Sequence, residues 1–228
     1  TASNFGQDPV ESPSAITVIT AEDIRLSGAT SVPEVLALSP GIDVMFLTAG
    51  QADVSIRGFN RRLSNKVLVL IDGRSVYLDI IGSVVWESLP VTLEEIERIE
   101  IIRGPGSAIY GANAFGGVVN IITTTPGEAS ARNSFSATYG TNATWGGSGT
   151  LNGREGNLGY RASAQIGQKG RWSQEVDLAN RPDISSSVDD QTLATDKMAG
   201  SLQLDWRLGD KGYASLSGGL SDGLYEFY

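Results

Sequence analysis

Two different patterns of apolar positions divide this chain near Pro126. Before it, short β-type runs and short helical segments are separated by glycine, proline and capping residues; after it, apolar and polar residues alternate with period two. In the first part, Ala15 to Thr20 reads as a strand, and Thr20-Ala21-Glu22-Asp23 as a capping-box start to a helix that stops at Gly28. Ser31-Val32-Pro33-Glu34 repeats the device, with Pro40-Gly41 ending the second helix. Asp43 to Phe46, Val54 to Arg57 and Val67 to Ile71 read as strands, the last turning at Asp72-Gly73 as a tight hairpin. Thr92-Leu93-Glu94-Glu95 caps one more short helix. Ile99, Ile101 and Ile102 then lead to a sharp turn at Arg103-Gly104-Pro105. Ser107 caps a helical turn ending at Tyr110-Gly111, and Gly116-Gly117 releases the chain into the strand Val118 to Ile122. This predicts a flexible lead over 1–14 and, over 15–127, a small α+β domain with a mixed sheet.

In the second part, Leu158, Tyr160, Ala162, Ala164 and Ile166 alternate with Gly159, Arg161, Ser163, Gln165 and Gly167. Leu202, Leu204, Trp206 and Leu208 do the same against Ser201, Gln203, Asp205 and Arg207. With Phe135 to Tyr139, weaker alternation over Gly147 to Asn152, and Ala214 to Leu220, five strands are predicted over 132–228. A soluble sheet with one wet face would alternate in the same way. Loop lengths favour a membrane barrel instead: Asn152 to Asn157 and Gly209 to Gly212 are short, Lys169 to Lys197 long, as when short turns face the periplasm. Tyr139, Trp145, Tyr160, Trp172, Trp206 and Tyr213 supply candidate interfacial girdles. Five strands cannot close a barrel, and open sheet edges are not tolerated in lipid, so the rest of the wall is expected beyond Tyr228.

Composition narrows the chemistry. A net charge of −9 disfavours nucleic acid. The absence of histidine and cysteine removes the usual general base, thiol nucleophiles and most zinc, haem or iron–sulfur ligation, and no cofactor is expected. The glycine-rich crossing lacks the Gly-Lys-Ser/Thr of a P-loop, and Gly104, Gly106 and Ile109 break the dinucleotide fingerprint. An enzyme would rest on carboxylates such as Asp72 and Glu87, for which no partner acid is identifiable. Asp177, Asp183, Asp189, Asp190 and Asp196 lack the spacing of a calcium loop and read as a solvated acidic loop. Asn142-Ala143-Thr144 fits a glycosylation acceptor in form and a turn in context. Thr1 to Asn4 has neither the basic start nor the apolar run of a signal peptide, as in a mature or trimmed start.

The run IERIEIIRGPGSAIYGANAFGGVVNIIT, Ile96 to Thr123, resembles the end of the plug domain of TonB-dependent outer-membrane receptors. Val54-Ser55-Ile56-Arg57-Gly58 and Val67-Leu68-Val69-Leu70-Ile71-Asp72-Gly73 match upstream in that family's order. The resemblance implies a plug seated in a barrel, its N-terminus in the periplasm, importing a scarce nutrient across the outer membrane with energy from TonB, and no enzymatic activity. A ferric siderophore or other metal chelate is the leading ligand, with cobalamin or carbohydrate uptake, or a mainly signalling receptor, as alternatives. Plug loops would touch the ligand, here through Arg61, Arg62 and Lys66, a basic cluster suited to an anion. Tyr77 and Trp86 would meet an apolar part of the ligand or pack on the wall. Arg57 and Arg103 would lock the plug to wall glutamates beyond Tyr228, and Thr1-Ala2-Ser3 would be the tail of the TonB-contacting box. The partners implied are TonB, a small-molecule nutrient and outer-membrane lipid.

Overall fold

Alternation within the first-half strands sends side chains to both faces of one sheet, and both faces are covered. The computed structural model describes residues 15–47, 51–56, 58, 66–78, 83–104, 110, 114–128, 132–170, 193–209 and 212–225. The elements are β1 (Ala15–Thr20), α1 (Ala21–Ser27), α2 (Val32–Ala37), β2 (Ile42–Phe46), β3 (Ala52–Ile56), β4 (Val67–Ile71), β5 (Arg74–Ser75), β6 (Ile96–Arg103) and β7 (Gly117–Thr123). Short 3₁₀ turns lie at Trp86–Ser88 and Leu93–Glu95. The sheet runs β1-β6-β7-β4-β5, antiparallel throughout except for the parallel pair of β4 with β7; β2 and β3 form a separate ribbon. Val67, Val69, Ile99, Ile101, Val119 and Ile121 face α1, α2, β3 and Trp86, while Leu68, Leu70, Ile102 and Val118 face a smaller cluster with Ile16 and Tyr110.

Local signals were mostly as expected. Thr20 and Asp23 close the predicted capping box on α1, and Gly28 ends it at φ +70°. Asp72 and Gly73, at φ +48° and +79°, turn β4 into β5. The second cap differs. Ser31 makes no side-chain cap, and the Glu34 carboxylate instead accepts the Thr30 N–H at 2.7 Å, with Pro33 filling the first turn. The helix expected after Thr92 is the 3₁₀ turn Leu93–Glu95, continuing straight into β6.

The second half is an antiparallel meander of β8 (Ser134–Tyr139), β9 (Trp145–Glu155), β10 (Leu158–Gly170), β11 (Leu193–Leu208) and β12 (Gly212–Tyr225), five strands in sequence order. Among the described residues the sheet is open, with β8 and β12 at its edges. Its strands outrun the predicted ones: β10 reaches Gly170 and β11 begins at Leu193, so Lys169, Asp196 and Lys197 are strand residues, not loop residues. The connection 171–192, with Trp172, Asp177, Asp183, Asp189 and Asp190, lies outside the described residues.

Tyr139 pairs with Trp145 at one end of the sheet, and Tyr160, Trp206 and Tyr213 lie toward the other. Between these rows Leu151, Ile166, Met198, Leu202, Leu216 and Leu220 are exposed. That is the outward band and paired aromatic girdles of a membrane barrel wall. No helix among the described residues is long and apolar enough to cross a membrane.

Candidate functional site

The polar face of the meander packs on the first domain. A charge on the inner face of a strand must find a partner or stay costly. Arg161 of β10 is 6% exposed and meets Glu95, which is 1% exposed, with Nε 3.4 Å from Oε2. Its Nη1 donates to the Thr124 carbonyl and its Nη2 to Gln203 Oε1 at 3.0 Å. Glu95 accepts further bonds from the Thr92 N–H at 2.7 Å, the Ser163 hydroxyl at 2.8 Å and the Ser201 hydroxyl at 3.2 Å. One carboxylate thus joins the plug turn to β10 and β11. Burial pushes the Glu95 carboxyl above its usual range, against the pull of Arg161 and of these donors.

The grip continues to either side. Arg154 Nε and Nη2 donate to the Gly127 and Pro126 carbonyls, both at 3.2 Å, and the Gly127 N–H donates to Asn152 Oδ1 at 2.8 Å. Gln165 reaches the Val91 carbonyl at 3.3 Å, and Arg74 reaches the Ser217 hydroxyl at 3.0 Å. Toward the opposite end of β10, Glu87 faces Lys169 at 3.0 Å and Lys197 at 3.8 Å. In all these ion pairs the acid is on the plug side and the base on the wall.

The expected site residues are distributed differently. Arg57, Arg61, Arg62 and Thr1-Ala2-Ser3 lie outside the described residues. Lys66 precedes β4, with its ammonium 5.8 Å from the Phe115 ring centre. Trp86, 7% exposed, belongs to the core, and Tyr77 packs against that core half-buried. Arg103 ends β6, its Nη2 donating to Thr17 Oγ1 at 2.6 Å, and its buried Nε has no hydrogen-bond partner among the described residues. The carboxylates considered for catalysis are both engaged: Asp72 accepts the Thr123 N–H at 2.8 Å and hydroxyl at 2.7 Å, tying the hairpin turn to the end of β7, while Glu87 faces two lysines.

Glu95, Arg154, Arg161, Lys169 and Lys197 were not singled out from sequence. The one available signal was a full charge at the inward-facing position Arg161, between Gly159 and Ser163.

Residues 8–118 match the family model described as TonB-dependent Receptor Plug Domain. The vitamin B12 transporter BtuB of Vibrio vulnificus is 42% identical over 127 residues, which is 54% of this chain and 20% of that protein. The siderophore receptor PirA of Pseudomonas aeruginosa is 27% identical, with a TM-score of 0.62, covering 93% of this chain and 36% of PirA. FpvA of P. aeruginosa, solved with a pyoverdine–iron complex, shares the fold at a TM-score of 0.69 and 17% identity, covering 94% of this chain and 26% of FpvA. Residues 8–118 belong to the plug-domain family of TonB-dependent receptors, and the chain spans about a fifth of the curated relative's length.

Proposed function

We propose that this chain is the plug, over 15–127, and the first wall strands, over 132–228, of a receptor that binds a scarce nutrient outside the cell and imports it with energy from TonB. The observation that carries this is the two-faced wall: its polar face holds the plug through buried ion pairs, and its apolar face, with aromatic rows at both ends, suits lipid. In this orientation the turns after β9 and β11 face the periplasm, as does the N-terminal lead over 1–14, and 171–192 faces outside. Thr1-Ala2-Ser3 is then the tail of the TonB-contacting box.

A ferric siderophore or other metal chelate is the ligand this reading favours. Arg61, Arg62 and Lys66 form a basic loop in a chain of net charge −9, suited to an anionic chelate, and PirA, of similar fold, is named a siderophore receptor. A second reading, cobalamin, is favoured by the 42% identity to a vitamin B12 transporter. Cells relying on the full-length receptor should accumulate radioiron from at least one ferric siderophore, and only when TonB is present. Accumulation of labelled cyanocobalamin alone would decide for the second reading.

The plug lock is proposed to include Arg57 and Arg103 facing wall carboxylates, and the buried, unpartnered Nε of Arg103 supports it. Replacing both arginines by alanine in the full-length receptor should raise leakage of small solutes while the barrel keeps its heat resistance. Unchanged leakage together with unchanged plug hydrogen exchange would end the lock.

A further inference from the structure

We propose that Lys169 and Lys197, now facing Glu87, form an anion-binding subsite on the inner face of the wall, built for a carboxylate, catecholate or phosphate oxygen. The proposal rests on the reading of the chain as an outer-membrane receptor. Glu87 Oε1 lies 3.0 Å from Lys169 Nζ, a hydrogen bond, but Oε2 lies 3.8 Å from Lys197 Nζ, beyond hydrogen-bond reach. Among the described residues two cations share one carboxylate, leaving one positive charge in excess where the side chains are only 21% (Lys169), 13% (Lys197) and 13% (Glu87) exposed. Holding that excess away from water is costly, and an arriving anion relieves it.

The contrast with Arg161 shows that this cluster is not simply another anchor. The fixed guanidinium fork of Arg161 donates through its two terminal nitrogens to Thr124 and Gln203 and pairs in charge with Glu95, whereas an ammonium on a flexible stem can exchange one oxygen for another. Position agrees. Lys169 pairs with Thr195 and Lys197 with Gly167, at the strand ends that enter 171–192. Lys169 is eight residues along β10 from Arg161, roughly 26 Å toward the outside in the proposed orientation. Glu87 sits in the same 3₁₀ turn as Trp86, which is packed in the plug core, so an anion that displaces the carboxylate acts directly on the plug.

The test uses the full-length receptor in detergent, labelled with ¹³C-lysine and titrated with citrate and with inorganic phosphate while the Lys169 and Lys197 Cε signals are followed. Both signals should shift saturably. Glu87→Gln should tighten the apparent Kd by at least about fivefold, the effect of removing a competing unit charge about 4 Å away even at the dielectric of bulk water. Lys197→Gln should weaken saturation at Lys169, and unchanged saturation there would overturn the subsite. No saturable shift in either wild type or Glu87→Gln overturns the subsite, as does weaker binding in Glu87→Gln. Because the readout needs no transport, a receptor that titrates but imports no chelate refutes the proposed function alone. One that imports but does not titrate refutes the subsite alone.

Discussion

Replacing Arg161 by methionine is expected to cost about 3–5 kcal/mol of the contact between plug and wall, the usual penalty for removing one member of a buried ion pair. Methionine fills much of the arginine stem's volume, so the loss reports charge and hydrogen bonds more than packing. Glu95 would stay 1% exposed with no counter-charge, and the Thr124 carbonyl and Gln203 would each lose a donor. In the full-length receptor, amides of Thr92 to Glu95 and Thr123 to Gly127 should exchange faster, while β10 and β11 amides away from the contact keep their protection. Adding Glu95→Gln should recover much of the loss, because a neutral amide removes the stranded charge. The pH dependence has a definite sign. The Glu95 carboxyl titrates above its unfolded value, so its contribution is fully present below the ordinary carboxylate range and is lost as pH rises through the raised value. Without Arg161 that value rises further, so the variant should be least impaired in acid. Equal exchange in wild type and Arg161→Met at neutral pH would show that the pair does not hold the plug.

The plug was legible because its signals are local. Thr20 with Asp23, Gly28, and Asp72-Gly73 each decide a turn or an end within four residues. The Ser31 cap was misplaced by one residue's competition: Glu34 reaches Thr30, and the rule for a serine cap does not weigh that alternative. The meander was legible as alternation, but its longest strands were cut short. Lys169 and Lys197 are residues that end strands in soluble sheets, yet a barrel's inner face accepts charge when a plug supplies the partner. The contact between plug and wall was not legible. Ser163 and Glu95 are 68 residues apart, and no periodicity links a 3₁₀ turn to a position on β10. Nor does any local pattern reveal that the acids lie on the plug and the bases on the wall.

Gly117→Ala should be costlier than its size suggests, at about 3 kcal/mol of plug stability. A Cβ there would fall 2.4 Å from the Ile102 carbonyl oxygen and 2.6 Å from Ile56 Cδ1. The first obstacle is backbone and cannot swing aside. Ile102 pairs with Val118 in the β6–β7 ladder, and Gly117 pairs with both Arg103 and Val67, so three strands meet at this residue. Its φ of +156° adds some strain for any residue with a side chain. Gly116 works beside it: its N–H donates to the Lys66 carbonyl at 2.7 Å, and a Cβ would come within 3.0 Å of that oxygen. The paired glycines of the motif thus let the crossing strand enter between β6 and β4. Gly28→Ala is the control, since at φ +70° a Cβ meets nothing within 4 Å and only the left-handed backbone is penalised, by about 1 kcal/mol. Urea unfolding of the plug within the full-length receptor, read by amide exchange of β4, β6 and β7, should separate the two variants clearly. Equal losses would mean that the close approach of three strands at Gly117 relaxes freely and is not what fixes the double glycine.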